Sequence, residues 1–256
     1  MPDSSRLATA AAMIVMSQAA QRELVMLVPT RGRPLALAEL IDCWHEVVGS
    51  AGSLVAVIDD DDPCRDAYLN LDWPLTIIGP RLRLGGTLNA MAPLAAEAGA
   101  FAVGFMGDDH RPRTAQFDEV LVEALHDLGS GVVYGDDLFQ HDRIPTAVAI
   151  TADLITKLGW MVPPGMIHLR LDDWWAILGS DLGRLVYMPD VIIEHMHPDA
   201  GKGRRDAGYD ECNSPERWSK DGQRLEDYLR NEWPTTRQRL RYQLNGTADA
   251  PAGRIA

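Results

Sequence analysis

Four short segments of this chain gather carboxylates and imidazoles, and a fifth carries guanidinium groups. The first follows the apolar run at 101–106 and reads Gly107, Asp108, Asp109, His110. Hard divalent cations take carboxylate oxygens and share their shell with substrate phosphates, so this pattern suggests a metal–phosphate site. The second is Asp59-Asp60-Asp61-Asp62, whose mutual repulsion argues against packing. The third is Asp172-Asp173-Trp174-Trp175. A carboxylate there can take a proton from a hydroxyl, and indole rings offer flat apolar faces to a sugar. The fourth is Glu194-His195-Met196-His197, where an imidazole suits Mn²⁺ better than Mg²⁺. Arg31 and Arg33, in Pro29-Thr30-Arg31-Gly32-Arg33-Pro34, are suited to phosphate. Plainer readings stand beside these. An acidic turn can simply be solvated, Asp172-Asp173 can cap a helix, Trp174 and Trp175 can be core, and His110 can be a loop residue.

These segments sit where apolar runs stop. Strands are expected at 24–28, 54–58, 75–78, 101–106, 132–134, 144–150, 185–188 and 191–193. Helical periodicity covers 35–48, 87–98, 114–128, 152–158, a segment opening at 171, and one or two helices over 214–243. Strand–helix alternation predicts an α/β domain with a mostly parallel sheet covered on both faces, followed by a C-terminal helical segment. In such sheets ligands collect beyond the carboxyl ends of strands, where these acids fall.

The 256 residues suffice for one large domain or a domain with an appendage. A net charge of −13 argues against a broad nucleic-acid footprint. Cys43, Cys64 and Cys212 lack metal-ligand spacing, which points to a reduced, cytoplasmic setting. No apolar run reaches the ~20 residues of a membrane span. Residues 1–22 read as a flexible leader or loose helix, 199–213 as a mobile loop, and 246–256 as a disordered tail.

The order of motifs over 24–198 resembles the GT-A glycosyltransferases, most of all their family 2-like members. The resemblance implies a GT-A catalytic domain at 23–200, with a nucleotide-sugar half at about 23–140 and an acceptor half at about 141–200. Pro29, Thr30, Arg31 and Arg33 would then meet the donor, and Asp59 and Asp60 its base. Gly85, Gly86, Thr87 and Asn89 would lie beside the nucleotide. Asp109 matches the last aspartate of the D-x-D metal motif, with Asp108 in its variable place, while Gly107 departs from it. Asp173, with Asp172, matches the catalytic base, and His195 or His197 the late metal ligand. Trp174 and Trp175 would line the acceptor site, and Lys202-Gly203-Arg204-Arg205 would close on diphosphate.

The function implied is metal-dependent transfer, with Mn²⁺ or Mg²⁺, from a nucleoside-diphosphate sugar, expected to be a UDP-sugar, to a hydroxyl of a glycan, small molecule, protein or modified DNA base. Inversion with an aspartate base is expected; a retaining transferase or a nucleotidyltransferase of related fold are alternatives. Tyr134-Gly135-Asp136-Asp137 spells a polymerase motif, but the strand–helix surroundings favour a structural or acceptor-side turn.

Overall fold

The computed structural model describes residues 4–245, so the tail expected at 246–256 lies outside the described residues. Eight strands form one sheet in the order β3-β2-β1-β4-β7-β6-β8-β5. They are β1 (Leu24–Thr30), β2 (Gly52–Asp59), β3 (Thr76–Gly79), β4 (Ala102–Phe105), β5 (His110–Pro112), β6 (Val132–Asp136), β7 (Val148–Thr151) and β8 (Leu185–His195). The pairs β1–β2, β1–β4, β2–β3 and β6–β8 are parallel. β7 runs antiparallel between β4 and β6, and β5 antiparallel to β8. Six strands therefore end on one edge.

Alternation along β1 shows why the sheet is covered twice. Val25 and Leu27 join one apolar cluster, and Leu24, Met26 and Val28 the other. Successive strand residues face opposite sides, so a run apolar at every position must be buried on both. Helices α2 (Pro34–Val47) and α5 (Phe117–Leu128) fill one face. On the other lie α1 (Ser4–Ala19), α4 (Arg83–Glu97), α6 (Ala152–Leu158), α7 (Leu171–Leu182), α9 (Pro215–Asn231) and α10 (Trp233–Asn245). The short helices α3 (Arg65–Leu69) and α8 (Ala207–Cys212) flank the strand ends.

Of the two readings of residues 1–22, a flexible leader or a loose helix, the structure has the helix: α1 buries Ala12, Met16 and Ala19 in the core shared with α4. The 199–213 segment, expected to be a mobile loop, carries a single 3₁₀ turn and α8 and is tied by ion pairs described below. Among the described residues, no helix is long and apolar enough to cross a membrane.

Candidate active site

A cavity of about 740 Å³ opens at the edge where the parallel strands end. β1 delivers Thr30, Arg31 and Arg33; β2 delivers Asp59; the turn after β3 delivers Arg81; β4 leads into Asp108 and Asp109. β8 brings His195 from the opposite half of the sheet, and α7 brings Asp172.

Asp108 and Asp109 are adjacent but serve different ends. Asp108 is buried, accepts from Thr30 Oγ1 at 2.6 Å and lies 3.4 Å from Arg33 Nη1. It secures the loop after β1, so its contribution to the donor site runs through Thr30 and Arg33. Asp109 turns into the cavity toward two imidazoles, with Oδ1 at 3.3 Å from His110 Nδ1 and Oδ2 at 3.5 Å from His195 Nε2. Burial works against ionisation of Asp109, but the neighbouring imidazoles of His110 and His195 outweigh it and hold the carboxyl well below its ordinary range. Gly107 explains the departure from D-x-D: a Cβ there would sit 2.5 Å from Asp109 Oδ1 and 3.1 Å from His110 Nδ1. A side chain at 107 would crowd the very groups that form the cluster.

His110 is not the loop residue expected. It opens β5 and pairs across the sheet with His195, and the two rings stack at 4.2 Å. One ligand atom from each of Asp109, His110 and His195 lies within 4.8 Å of the others. That is about the diameter of a shell whose ligands stand ~2.1 Å from an ion. Among the described residues His110 Nε2 is buried with no hydrogen-bond partner, a state that normally calls for an explanation, while His195 Nδ1 has Asp137 at 3.8 Å. One carboxylate and two imidazoles form a borderline donor set that fits Mn²⁺ better than Mg²⁺. His110 Nδ1, which accepts from the Gly107 amide at 3.0 Å, is already committed. Asp109 and His195 are therefore the principal candidate ligands.

His195 and His197 separate cleanly. β8 ends at His195, so the two no longer share a strand face. His197 stacks on Phe139 at 5.0 Å and its Nδ1 accepts from the Asp199 amide at 3.1 Å, outside the cluster. Behind His195 stands Asp137, whose Oδ2 is 3.8 Å from His195 Nδ1. Burial raises Asp137, but His195, Thr146 and the amides of Phe139 and Gln140 together hold it far below the ordinary carboxylate range. The polymerase-like tetrapeptide thus supplies a fixed anion behind an imidazole. Burial lowers His195, but Asp109 and Asp137 overcome it and raise it to about 9.

The second acidic pair is also split. Asp173 pairs with Arg170 through a short contact and does not line the cavity. Asp172 does, and burial, with the charge of Asp173 next, raises it to about 6. Of the two carboxylates expected at the catalytic position, Asp172 is the one that lines the cavity. Arg170 and Arg83 hold left-handed backbone at φ 65° and 63°, a conformation that costs non-glycine residues energy and gathers at functional sites.

Several expected donor contacts lie elsewhere. Asp60 is exposed and does not line the cavity; Asp59 does, with Arg31 at 2.9 Å. Asp62 is buried and accepts from the amides of Gly32 and Cys64, so it holds the turn. Gly85 and Gly86 are in α4, and a Cβ on Gly85 would sit 2.2 Å from the Met166 carbonyl oxygen. Asn89 spends its amide on Met161 and Val162. This segment packs against the 161–167 loop, and of Gly85, Gly86, Thr87 and Asn89 only Thr87 lines the cavity. Trp174 is fully buried against Tyr228 and Trp233 and is core; Trp175, 1% exposed, forms cavity floor beside Phe105. Lys202 pairs with Glu194 at 2.9 Å and Arg205 with Asp210 at 2.9 Å, so neither faces the cavity. Arg31 and Arg33 do line it, as expected, together with arginines the sequence reading did not single out, Arg81 and Arg83 among them. The strand-end rule applied to Pro80-Arg81-Leu82-Arg83 would have found them. Both reach Glu211 on α8, and Arg33 clasps Asp206 through two 2.8 Å bonds.

No protein-family model and no curated protein matches this chain. Solved structures do. A mannosyltransferase, PcManGT from Pyrobaculum calidifontis, in complex with GDP-Man and Mn²⁺, aligns with 95% of this chain and 85% of its own at 14% identity and a TM-score of 0.51. S. aureus TarS 1-349 aligns with 86% of this chain and 77% of its own at 11% identity and 0.48. A mycobacterial protein aligns with 85% and 77% at 14% identity and 0.49. With the strand order and the site edge described above, the first of these likenesses shows that this chain has the GT-A glycosyltransferase fold.

Proposed function

We propose that this protein transfers a sugar from a nucleoside-diphosphate donor to an acceptor hydroxyl, with inversion at the anomeric carbon. The observation that carries the reading is the meeting of Asp109, His110 and His195 with Asp172 in one cavity lined by arginines. The like-folded mannosyltransferase, whose structure holds GDP-Man and Mn²⁺, supports the donor class. A UDP-sugar is the expected donor.

Asp59, beside Arg31, would accept a hydrogen bond from a ring N–H of the base. Arg33, Arg81 and Arg83 would face the diphosphate, as their present carboxylate partners already show anion geometry there. Asp109 and His195 would hold Mn²⁺. When bound, the ion neutralises the charge that develops on the leaving diphosphate. Asp172 takes the proton from the acceptor hydroxyl. A base with a pKa of about 6 is ionised at neutral pH yet basic enough to accept a proton in the transition state. The buried floor made by Trp175 and Phe105 keeps water from the back of the cavity.

The test is thermal stabilisation by UDP, GDP, ADP and CDP with and without Mn²⁺, followed by product analysis with the matching sugar donor. A ligand that binds the folded state raises its melting temperature by mass action. A Mn²⁺-dependent shift with one nucleoside diphosphate, and its release during turnover, are expected. Release of pyrophosphate would instead mark a nucleotidyltransferase, and a retained anomer would remove the base role from Asp172.

A further inference from the structure

Six arginines line the cavity: Arg31, Arg33, Arg81, Arg83, Arg170 and Arg217. The first five each have a carboxylate within 4.0 Å, on Asp59, Asp206, Glu211, Glu211 and Asp173 respectively. Arg217 has no such partner among the described residues. Its neighbour Trp218 also lines the cavity and is 48% exposed, while Trp175 and Phe105 on the floor are 1% and 9% exposed. The guanidinium stands beside an uncovered indole, and the nearby carboxylates of Glu211 and Glu216 are bonded to Arg83 and Lys220 instead. Arg takes phosphate or carboxylate through a planar fork, and an indole face takes the C–H face of a sugar ring.

The pair is rigidly placed relative to the proposed base. Both residues stand in the first turn of α9, which opens with Ser214 Oγ accepting from the Arg217 amide at 3.3 Å. One turn on, Asp221 is buried and accepts from the amides of Ile167, His168 and Leu169 at 2.9, 2.9 and 2.8 Å. Those residues lead directly through Arg170 and Leu171 to Asp172. α9 is thereby tied directly to the segment that leads into Asp172. Burial pushes His168 down to about 4, with Arg217 adding to the effect against Asp221. Its ring is neutral, so it leaves the anchoring of charge to Arg217.

We infer that Arg217 and Trp218 form the acceptor subsite, and that the acceptor is a hydroxylated molecule carrying an anionic group, a phosphate or a carboxylate. This rests on reading the cavity as a glycosyltransferase site: the donor's phosphates face Arg33, Arg81 and Arg83, and the acceptor's charge faces Arg217. The indole stacks on the acceptor's ring, and Arg217 sets its distance from Asp172.

The experiment uses the full chain with Mn²⁺ and the nucleoside diphosphate that stabilises it. Glucose 6-phosphate, glucuronate and glucose are then titrated calorimetrically as probes. One or both anionic probes should bind at least roughly tenfold more tightly than glucose, and which one does so distinguishes phosphate from carboxylate. Arg217→Gln should remove that preference while leaving the nucleoside-diphosphate shift intact, which also reports that the variant is folded. Trp218→Ala should weaken all three probes, and Trp218→Phe should recover most of the loss. Equal binding of charged and neutral probes, or a preference that survives Arg217→Gln, overturns the inference while the donor reading stands. Loss of the nucleoside-diphosphate shift in Arg217→Gln would overturn it too, by moving Arg217 to the donor. A wild-type protein that takes no nucleoside diphosphate would overturn the donor reading and this inference together.

Discussion

The two aspartate pairs, 108–109 at the end of β4 and 172–173 at the start of α7, divide their labour in the same way. In each, one carboxylate is held by an arginine and the other is left without one, although Asp108, unlike Asp173, still lines the cavity. Asp108 is held by Thr30 and Arg33, and Asp109 faces the imidazoles. Asp173 is held by Arg170, and Asp172 faces the cavity. The environments drive the working members in opposite directions. Imidazoles hold Asp109 low, while burial and a neighbouring charge raise Asp172 to about 6. The first is therefore fitted to remain an anion and the second to take up a proton.

The widest separation is expected from Asp109→Ala. Losing the carboxylate of the metal cluster should lower kcat/KM by roughly 10³-fold or more and remove the Mn²⁺ dependence of nucleotide binding, checked by calorimetry. Asp172→Asn comes next, with kcat down by roughly 10² to 10³-fold while Mn²⁺ and nucleotide binding persist. In the wild type, kcat/KM should fall below a pH near 6 as Asp172 gains its proton. Because its folded pKa is raised from 3.8, the buried carboxylate lowers stability as pH rises through that interval. Asp172→Asn should therefore keep or gain melting temperature at pH 7.5. Asp137→Asn should weaken Mn²⁺ affinity by roughly 10 to 100-fold, the usual loss when a metal-bound imidazole loses the anion behind it. Asp173→Asn should be smallest, within about threefold in kcat, since the partner of an Arg170 that is one-third exposed contributes little. If Asp173→Asn is as damaging as Asp172→Asn, the comparison collapses.

The sheet was legible because uninterrupted apolar strands end abruptly in polar residues. That pattern located Asp59 and Asp109 at one edge, while Asp172-Asp173 were read from a helix start and the resemblance. It did not say which member of a pair faces inward, because that depends on the local turn. The structure resolves it through contacts from distant sequence: Thr30 to Asp108 across 78 residues, and Arg33 beside it. His110 was unreadable for a similar reason. A three-residue strand that pairs with His195 leaves no periodicity of its own. Trp174 and Trp175 could not be told apart because an indole has the same sequence signature in a core as in a sugar site; Trp174 is core and Trp175 lines the cavity. Here both donate to the Met161 carbonyl, which is a packing arrangement.

The clasp between Arg33 and Asp206, with Glu211 on Arg81 and Arg83, changes how ligand capture is measured. An incoming dianion does not meet bare cations. It replaces carboxylates already seated there, so its binding free energy is the difference between two sets of ionic contacts. Added salt screens the old contacts and the new ones alike. Donor affinity should then depend on ionic strength far less steeply than three arginines would suggest.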